Sequence, residues 1–231
     1  MPAAGGEPLR LTYSPEADFV STWSADGRLI ALHSYMAGTR RVRLVSSEGG
    51  EPHDVVSEPS NQRSPDLSAD GRRLVFTADV QSQPQLFLAA RRNDTGWSAA
   101  RQITSTGGWA GRWSPDARSI VYCSQDGLWL IAPQDRTARR LVELGTTGKP
   151  SAELAEWSPD GKTIYYKAFD AAGRSSLWSI PALGGTPRLL IRFDDPSHPS
   201  SRPEFATDGK RFFFTVGARQ SDVWAMELKT R

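Results

Sequence analysis

One short phrase occurs five times along this chain, and its spacing constrains the fold more than any other feature. Each copy has an aromatic residue or leucine, two small residues, an aspartate and, in four copies, a glycine. The copies begin at Trp23, Leu67, Trp113, Trp157 and Phe205. Their aspartates are separated by 44, 46, 44 and 48 residues. A period of about 45 residues built from short strands predicts a β-propeller whose blades have about four strands each.

The copy between Glu153 and Phe193 shows how one repeat builds one blade. A first strand ends in Trp157, and the turn Pro159-Asp-Gly161 follows, because Pro fixes φ, Asp accepts backbone hydrogen bonds and Gly tolerates a positive φ. β-branched and aromatic residues then predict three more strands, over residues 163–168, 176–180 and 187–191. Ala117 replaces the turn glycine in the third copy, so that turn either changes type or carries strain.

The repeat divides the chain into five predicted blades within a single all-β domain. Their bounds are 13–56, 57–104, 105–144, 145–192, and 193–231 together with 1–12. Residues 1–12 align with 180–191, so Leu9–Thr12 is predicted to be the fourth strand of the last blade. Pairing with the third strand at Asp222–Leu228 would close the ring and remove two exposed edges. The alternative is that the chain is part of a longer propeller.

The composition of the chain limits the classes of partner that we expect. The 28 basic and 26 acidic residues nearly balance, so we expect neither nucleic acid nor an anionic membrane as a partner. No run approaches the length of a transmembrane helix, and the first residues have no signal-peptide pattern. The single cysteine, Cys123, lies in a strand-like run and excludes an intramolecular disulfide and a multi-cysteine metal site. We expect a monomer without cofactor or metal.

The sequence offers no recognisable catalytic set. It has no Gly-x-Ser-x-Gly elbow, no His-Glu-x-x-His pair and no phosphate or dinucleotide loop. The turn aspartates recur at one position, which indicates hairpin residues rather than acid–base pairs: Asp26, Asp70, Asp116, Asp160 and Asp208. Among the histidines, His33 is expected to be a satisfied or edge residue. His198, near Asp194 and Asp195, is a candidate loop-binding residue, with a polar connecting loop as the alternative.

One set of side chains precedes the repeated phrase at the same position in every copy. First strands line the channel of a propeller and alternate residues share a face, so these residues could form a mixed-charge ring: Thr22, Asp66, Arg112, Glu156 and Glu204. The opposite face would carry residues small enough for close packing: Ser21, Pro65, Gly111, Ala155 and Pro203. The ring could hold water, a cation or a charged peptide end. The alternative is a network of pairs, such as Arg112 with Glu156, that only satisfies buried charge.

Six of the eight tryptophans fall on predicted first or third strands, where large apolar side chains would pack blade against blade. They are Trp23, Trp113, Trp129, Trp157, Trp178 and Trp224. Trp97 and Trp109 fall outside these positions and are therefore the candidates for exposed stacking in a binding site.

The fourth copy carries a family resemblance. Trp157-Ser-Pro-Asp-Gly-Lys, with Leu177-Trp-x-Ile-Pro and Gly184-Gly-x-Pro-Arg-Leu-Leu after it, resembles the TolB-type, WD-like propeller repeat, and the pattern covers nearly the whole chain. Such propellers occur as periplasmic TolB, as non-catalytic domains of prolyl-oligopeptidase-type serine peptidases, and as sensor parts of bacterial kinases and transcription regulators. The resemblance implies a propeller scaffold in a periplasmic or other extracytoplasmic setting.

These observations favour a non-enzymatic scaffold that binds a protein or peptide, or acts as a sensor, because a propeller's function is carried by its loops and channel. One alternative is the propeller portion of a larger enzyme, either a prolyl-oligopeptidase-type peptidase or an oligosaccharide-acting hydrolase or lyase. Another is a propeller severed from a bacterial kinase or transcription regulator.

Overall fold

The computed structural model describes residues 7, 9–13, 17–93, 96–145 and 151–217. Within these ranges all regular structure is β-strand. The first sheet contains β1 (Asp18–Trp23), β2 (Leu29–Met36), β3 (Thr39–Ser46) and β4 (His53–Asp54). The second contains β5 (Arg63–Leu67), β6 (Arg73–Val80), β7 (Gln83–Ala90) and β8 (Arg101–Gln102).

The third sheet contains β9 (Trp109–Trp113), β10 (Ile120–Ser124), β11 (Gly127–Ala132) and β12 (Thr137–Glu143). The fourth contains β13 (Ser151–Trp157), β14 (Thr163–Phe169), β15 (Ser175–Pro181) and β16 (Arg188–Arg192). The fifth has two described strands, β17 (Phe205–Thr207) and β18 (Phe212–Phe214).

The strands of each sheet are antiparallel and follow one another in chain order. This arrangement confirms the all-β propeller, with four four-stranded blades and the beginning of a fifth in the described part of the chain. The strand predicted at Asp222–Leu228 lies outside the described residues. Residues 9–13 form no strand, and Leu11 packs against the first blade beside Ile30 and Val45.

The repeated turn has a common set of hydrogen bonds. In the fourth blade the Ser158 hydroxyl donates to Asp160 Oδ1 at 2.6 Å and accepts the backbone N–H of Thr163. Asp160 Oδ1 also accepts the N–H of Lys162 at 3.1 Å. The same serine–aspartate bond forms in the first three blades. These bonds explain why an aspartate two residues after a serine recurs at this position.

The third turn keeps its type despite the alanine. Ala117 has φ of 55°, in the left-handed region where the equivalent Gly71 and Gly161 have 64° and 69°. An L-residue is disfavoured in that region because its Cβ approaches the carbonyl oxygen that follows. Of the two outcomes that the sequence allowed, a change of turn type or a strained turn, the structure shows the strained turn.

The tryptophans divide into two groups. Trp113 is buried between the second and third blades, and Trp129, Trp157 and Trp178 are half-buried against the blade cores. Trp23 is 54% exposed in the described part of the chain. The prediction that it packs between blades is therefore wrong. Trp224 lies outside them.

Trp97 was expected to be exposed for stacking, and it is instead half-buried against the core shared by the first two blades. Trp97 lies in the loop before β8, where an isolated antiparallel bridge pairs it with Arg91.

Candidate functional site in the central channel

A buried charge cluster lies where the first strands of the second, third and fourth blades adjoin. Arg112 Nε donates to Glu156 Oε1 at 3.0 Å, and its Nη1 donates to the carbonyl of Gly111 at 3.2 Å. The Arg112 side chain is 8% exposed and that of Glu156 is 26% exposed. The predicted pair therefore exists, and it joins the third blade to the fourth.

Asp66 completes the cluster from the second blade. Its Oδ2 accepts the backbone N–H of Trp113 at 2.7 Å, which joins this blade to the third. Burial raises the pKa of Asp66 to about 6, against the opposing effects of Arg112 and of the Trp113 N–H. The Thr22 hydroxyl of the first blade also lowers the pKa of this carboxyl group, so four of the five proposed ring residues lie close together here.

Burial and neighbouring charges also shift the pKa values of Glu156 and Arg112. Burial raises the pKa of Glu156, and the Arg112 charge opposes that rise. Burial also opposes protonation of Arg112, but Glu156 and Asp66 outweigh it and raise the pKa of the guanidinium. Two carboxyl groups and one guanidinium thus share a largely buried site, where each charge is partly compensated by the others.

Two cavities lie on either side of this cluster, and Arg112 and Glu156 border both. The larger has a volume of about 770 Å³, and the smaller about 430 Å³. The larger cavity has charged and aromatic walls, formed in part by Arg63, Trp109, Glu153, Arg202 and Glu204. Asp66, Trp23 and Trp157 border the smaller one.

The fifth ring candidate, Glu204, is exposed and borders the larger cavity rather than joining the buried cluster. Trp109 is half-buried and borders the same cavity. Among the small residues proposed for the opposite face, Ala155 is fully buried and Gly111 is closely packed. A Cβ on Gly111 would stand 3.1 Å from Ile120 Cγ2 and 3.2 Å from Val75 Cγ2.

Bulges in the first strands set the directions of these side chains, and the repeat pattern did not predict them. In each of the first four blades the pairing between the first two strands shifts register just before the ring residue or close to it. A bulge re-aims the side chains that follow it. Strict alternation along the strand therefore selects candidate residues but does not give the directions of their side chains.

His33 also borders the larger cavity, although its sequence position suggested a satisfied or edge residue. Its ring stacks on Phe19 at 5.0 Å, and burial, helped by Arg40 and Arg63, lowers its pKa to about 4. Its Nδ1 is buried and has no hydrogen-bond partner among the described residues, so the expectation of a satisfied residue is wrong. Trp109 Nε1 is likewise buried and has no hydrogen-bond partner among the described residues.

His198 lies apart from both cavities. Its Nδ1 is 2.9 Å from Asp195 Oδ2 and 3.0 Å from the Ser197 hydroxyl, in an exposed turn. Hydrogen bonds from Ser197 and then from His198 lower the pKa of Asp195 to about 2. These hydrogen bonds lie within the turn itself, as in the polar connecting loop that we gave as the alternative to a binding role for His198.

No group of three or more His, Cys, Asp or Glu side chains within the described ranges has an arrangement that could hold a metal ion. Cys123 is fully buried, and burial raises the pKa of its thiol. Across the same residues, the structure contains no helix with the length and apolarity needed to cross a membrane.

Comparison with known proteins gives a consistent family. Residues 13–192 match the model of the TolB beta propeller domain. The chain is 24% identical over 203 residues to an uncharacterized protein of Agrobacterium fabrum, covering 87% of this chain and 66% of that protein. It is 30% identical over 144 residues to a protein TolB homolog of Protochlamydia amoebophila, covering 58% of this chain and 31% of the homolog.

A solved structure shows the same fold. The crystal structure of TolB from Acinetobacter baumannii aligns with a TM-score of 0.70 at 18% identity, covering 94% of this chain and 55% of that one. The chain thus spans 66% of the length of one curated relative and 31% of the other.

Proposed function

Because this chain belongs to the TolB beta propeller domain family, we propose that it is a non-enzymatic module that binds a protein or peptide segment in the larger channel cavity. The observation that carries the proposal is the mixed-charge wall of that cavity. Four acidic residues (Asp18, Glu153, Glu156 and Glu204) and three basic residues (Arg63, Arg112 and Arg202) border it.

The near balance of charge indicates the class of ligand. A groove for nucleic acid would need a basic surface, whereas a peptide offers charges of both signs, polar backbone groups and apolar side chains. Phe19, Trp109 and Leu154 are among the apolar residues of the wall, and the cavity of about 770 Å³ lies within the range of ligand sites. A rigid scaffold that presents these groups in place reduces the entropic cost of binding.

The proposal assigns no reaction to this chain, and it takes the protein to be a monomer in an extracytoplasmic compartment. Fractionation of cells that make the natural full-length protein tests the compartment. Recovery in the cytoplasm would contradict an extracytoplasmic location.

In a longer protein, such as those that the relatives represent, the propeller would supply binding while any activity lay in other segments.

The decisive experiment is selection of a random peptide display library on the immobilised protein, followed by calorimetry with the recovered peptides. We expect the double variant E156Q/E204Q to bind them about tenfold more weakly or worse, because two of the carboxylates of the wall become neutral. The matched control is E48Q/E51Q, which makes the same changes on the exposed hairpin after β3.

Recovery of no peptide, or equal affinity of the E156Q/E204Q variant and the natural protein, would reject the channel as the binding site. If the control variant lost as much affinity as E156Q/E204Q, the effect would come from net charge and the proposal would also fail.

A further inference from the structure

One position recurs in or just after the second strand of each repeat, and in the second and fourth blades its side chain reaches the next blade. It lies seven residues after the turn aspartate and is occupied by His33, Thr77, Cys123, Lys167 and Thr215. In the second blade the Thr77 hydroxyl accepts the backbone N–H of Ala110 at 3.2 Å, and Ala110 lies on the first strand of the third blade. A short neutral side chain is thus enough to connect these two blades.

Lys167 occupies the same position in the fourth blade with a much longer and charged side chain. It is 1% exposed, and its Nζ donates to the Ser200 hydroxyl at 2.7 Å and to the Arg202 carbonyl at 2.6 Å. The rings of Phe193 and Phe169 lie 5.1 and 5.8 Å from the ammonium group. Its hydrogen-bond partners in the described structure are therefore neutral oxygens.

A buried ammonium group without a bonded carboxylate is costly. Burial lowers the pKa of Lys167 to about 8, and Glu204, on the segment that leads into β17, is the charge that opposes this shift. The buried charge of Lys167 destabilises the folded protein. The favourable contribution of this residue therefore lies in the chain segment that its hydrogen bonds hold in place.

Those bonds hold the chain segment that runs into the cavity wall. The Ser200 hydroxyl, which accepts from Lys167, donates to the Thr215 carbonyl at 2.6 Å, and the Ser175 hydroxyl donates to the Ser200 carbonyl at 2.7 Å. Residues 200–202 are thereby fixed to the fourth blade and to the residue after β18. The next residues, with Arg202 itself, form the side of the larger cavity contributed by the fifth blade.

We propose that Lys167 is a positioning residue for the channel site: by holding the Ser200 hydroxyl and the Arg202 carbonyl, it sets where Arg202 and Glu204 stand in the cavity wall. The consequence for ligand affinity rests on the proposed function, whereas the positioning itself does not. An error of about 1 Å in such a wall is enough to weaken a site.

The test measures position directly. Spin labels are placed at two exposed residues, by S201C within the held segment 200–202 and by Q83C on the second blade, while the native Cys123 is fully buried and stays unlabelled. Electron–electron distance measurements are then made with Lys167 intact and with K167M. We expect one narrow distance with Lys167 and a broader or displaced distribution with K167M.

Two further variants separate positioning from loss of fold. S200A removes the hydroxyl that relays the contact while keeping the charge, and we expect partial broadening. T77V changes the equivalent position of the second blade, and we expect no change at residue 201. Urea unfolding should give K167M a midpoint close to that of the natural protein, because relief of the buried charge offsets the two lost hydrogen bonds.

The outcomes are distinct. An unchanged distance distribution in K167M, or equal broadening in T77V, overturns the positioning role. If K167M does not fold, S200A decides the matter, and an unchanged distribution in S200A overturns the proposal. With a peptide recovered from the display selection, K167M should bind about tenfold more weakly. Broadening without any peptide binding to the natural protein would uphold positioning and reject the proposed function.

Discussion

The junction between the second and third blades and the junction between the fourth and fifth use the same repeat position but different interactions. The former is closely packed and aliphatic, with Val75, Leu86 and Ile120 buried around Gly111. The Arg73 guanidinium covers the ring of Trp113 at 4.5 Å and donates to the Ala117 carbonyl.

At the latter junction, aromatic edge contacts and polar bonds accompany the packing of Leu154 and Leu177 against Phe205. Tyr165 meets Phe212, and Phe193 meets Phe214, each with ring centroids 4.9 Å apart in an edge-to-face arrangement. Lys167 supplies the hydrogen bonds between blade four and the segment before β17. We infer that the first junction mainly supplies stability, whereas the second mainly sets the position of the cavity wall.

The largest effect should come from overfilling the aliphatic junction. In Gly111→Val the new side chain would enter a space where even a Cβ lies 3.1 to 3.3 Å from Ile120, Val75 and Leu86. We expect a loss of about 2–3 kcal/mol in unfolding free energy, measured by urea titration. Ala99→Val, at an exposed site, is the control and should change it by less than about 0.5 kcal/mol. A loss below 1 kcal/mol for Gly111→Val would show that this junction is loosely packed.

A smaller effect concerns pH at the same junction. Because the folded-state pKa of Asp66 is raised to about 6, the folded protein binds a proton more readily than the unfolded chain. The stability due to this group is complete below the unfolded pKa and is lost as the pH rises through about 6.

Asp66→Asn should remove that dependence. Relative to this variant, the natural protein should gain about 1 kcal/mol of stability when the pH falls from about 7 to about 5. Parallel urea titrations at the two pH values measure the difference. A constant difference between the two proteins would contradict the burial of an ionised Asp66.

The smallest expected effect tests strain at the edge of that junction. Ala117→Gly should stabilise the protein by about 0.5 kcal/mol, because glycine relieves the left-handed φ but loses a buried methyl group and gains freedom when unfolded. The reciprocal change, Gly161→Ala, places a methyl group at φ of 69° in the fourth blade, and it should destabilise by about 1 kcal/mol. Thermal unfolding of both variants checks the signs, and a loss of stability in Ala117→Gly would contradict strain at this turn.

Much of the candidate site could be predicted from the repeat, because equivalent positions in a propeller lie at equivalent places around the channel. This reasoning proposed Thr22, Asp66, Arg112 and Glu156 as members of one ring, and the structure places these four residues near one another. It missed His33 and Lys167, since each looks like an ordinary strand residue when its own repeat is read alone. Aligning the second strands would have provided a signal, because a histidine and a lysine stand there beside threonines and a cysteine.

The sequence by itself determined the strand order, the blade period and the turns, because these depend on local spacing and on hydrogen bonds between near neighbours such as Ser158 and Asp160. Apart from the pair of Arg112 with Glu156, which the repeat suggested, the tertiary structure decided which groups meet between blades. Asp66 accepts the Trp113 N–H, 47 residues away, and Lys167 reaches the Arg202 carbonyl, 35 residues away. Such contacts depend on bulges that re-aim the first strands and on the length of each side chain against the space beside it, and a repeat pattern specifies neither.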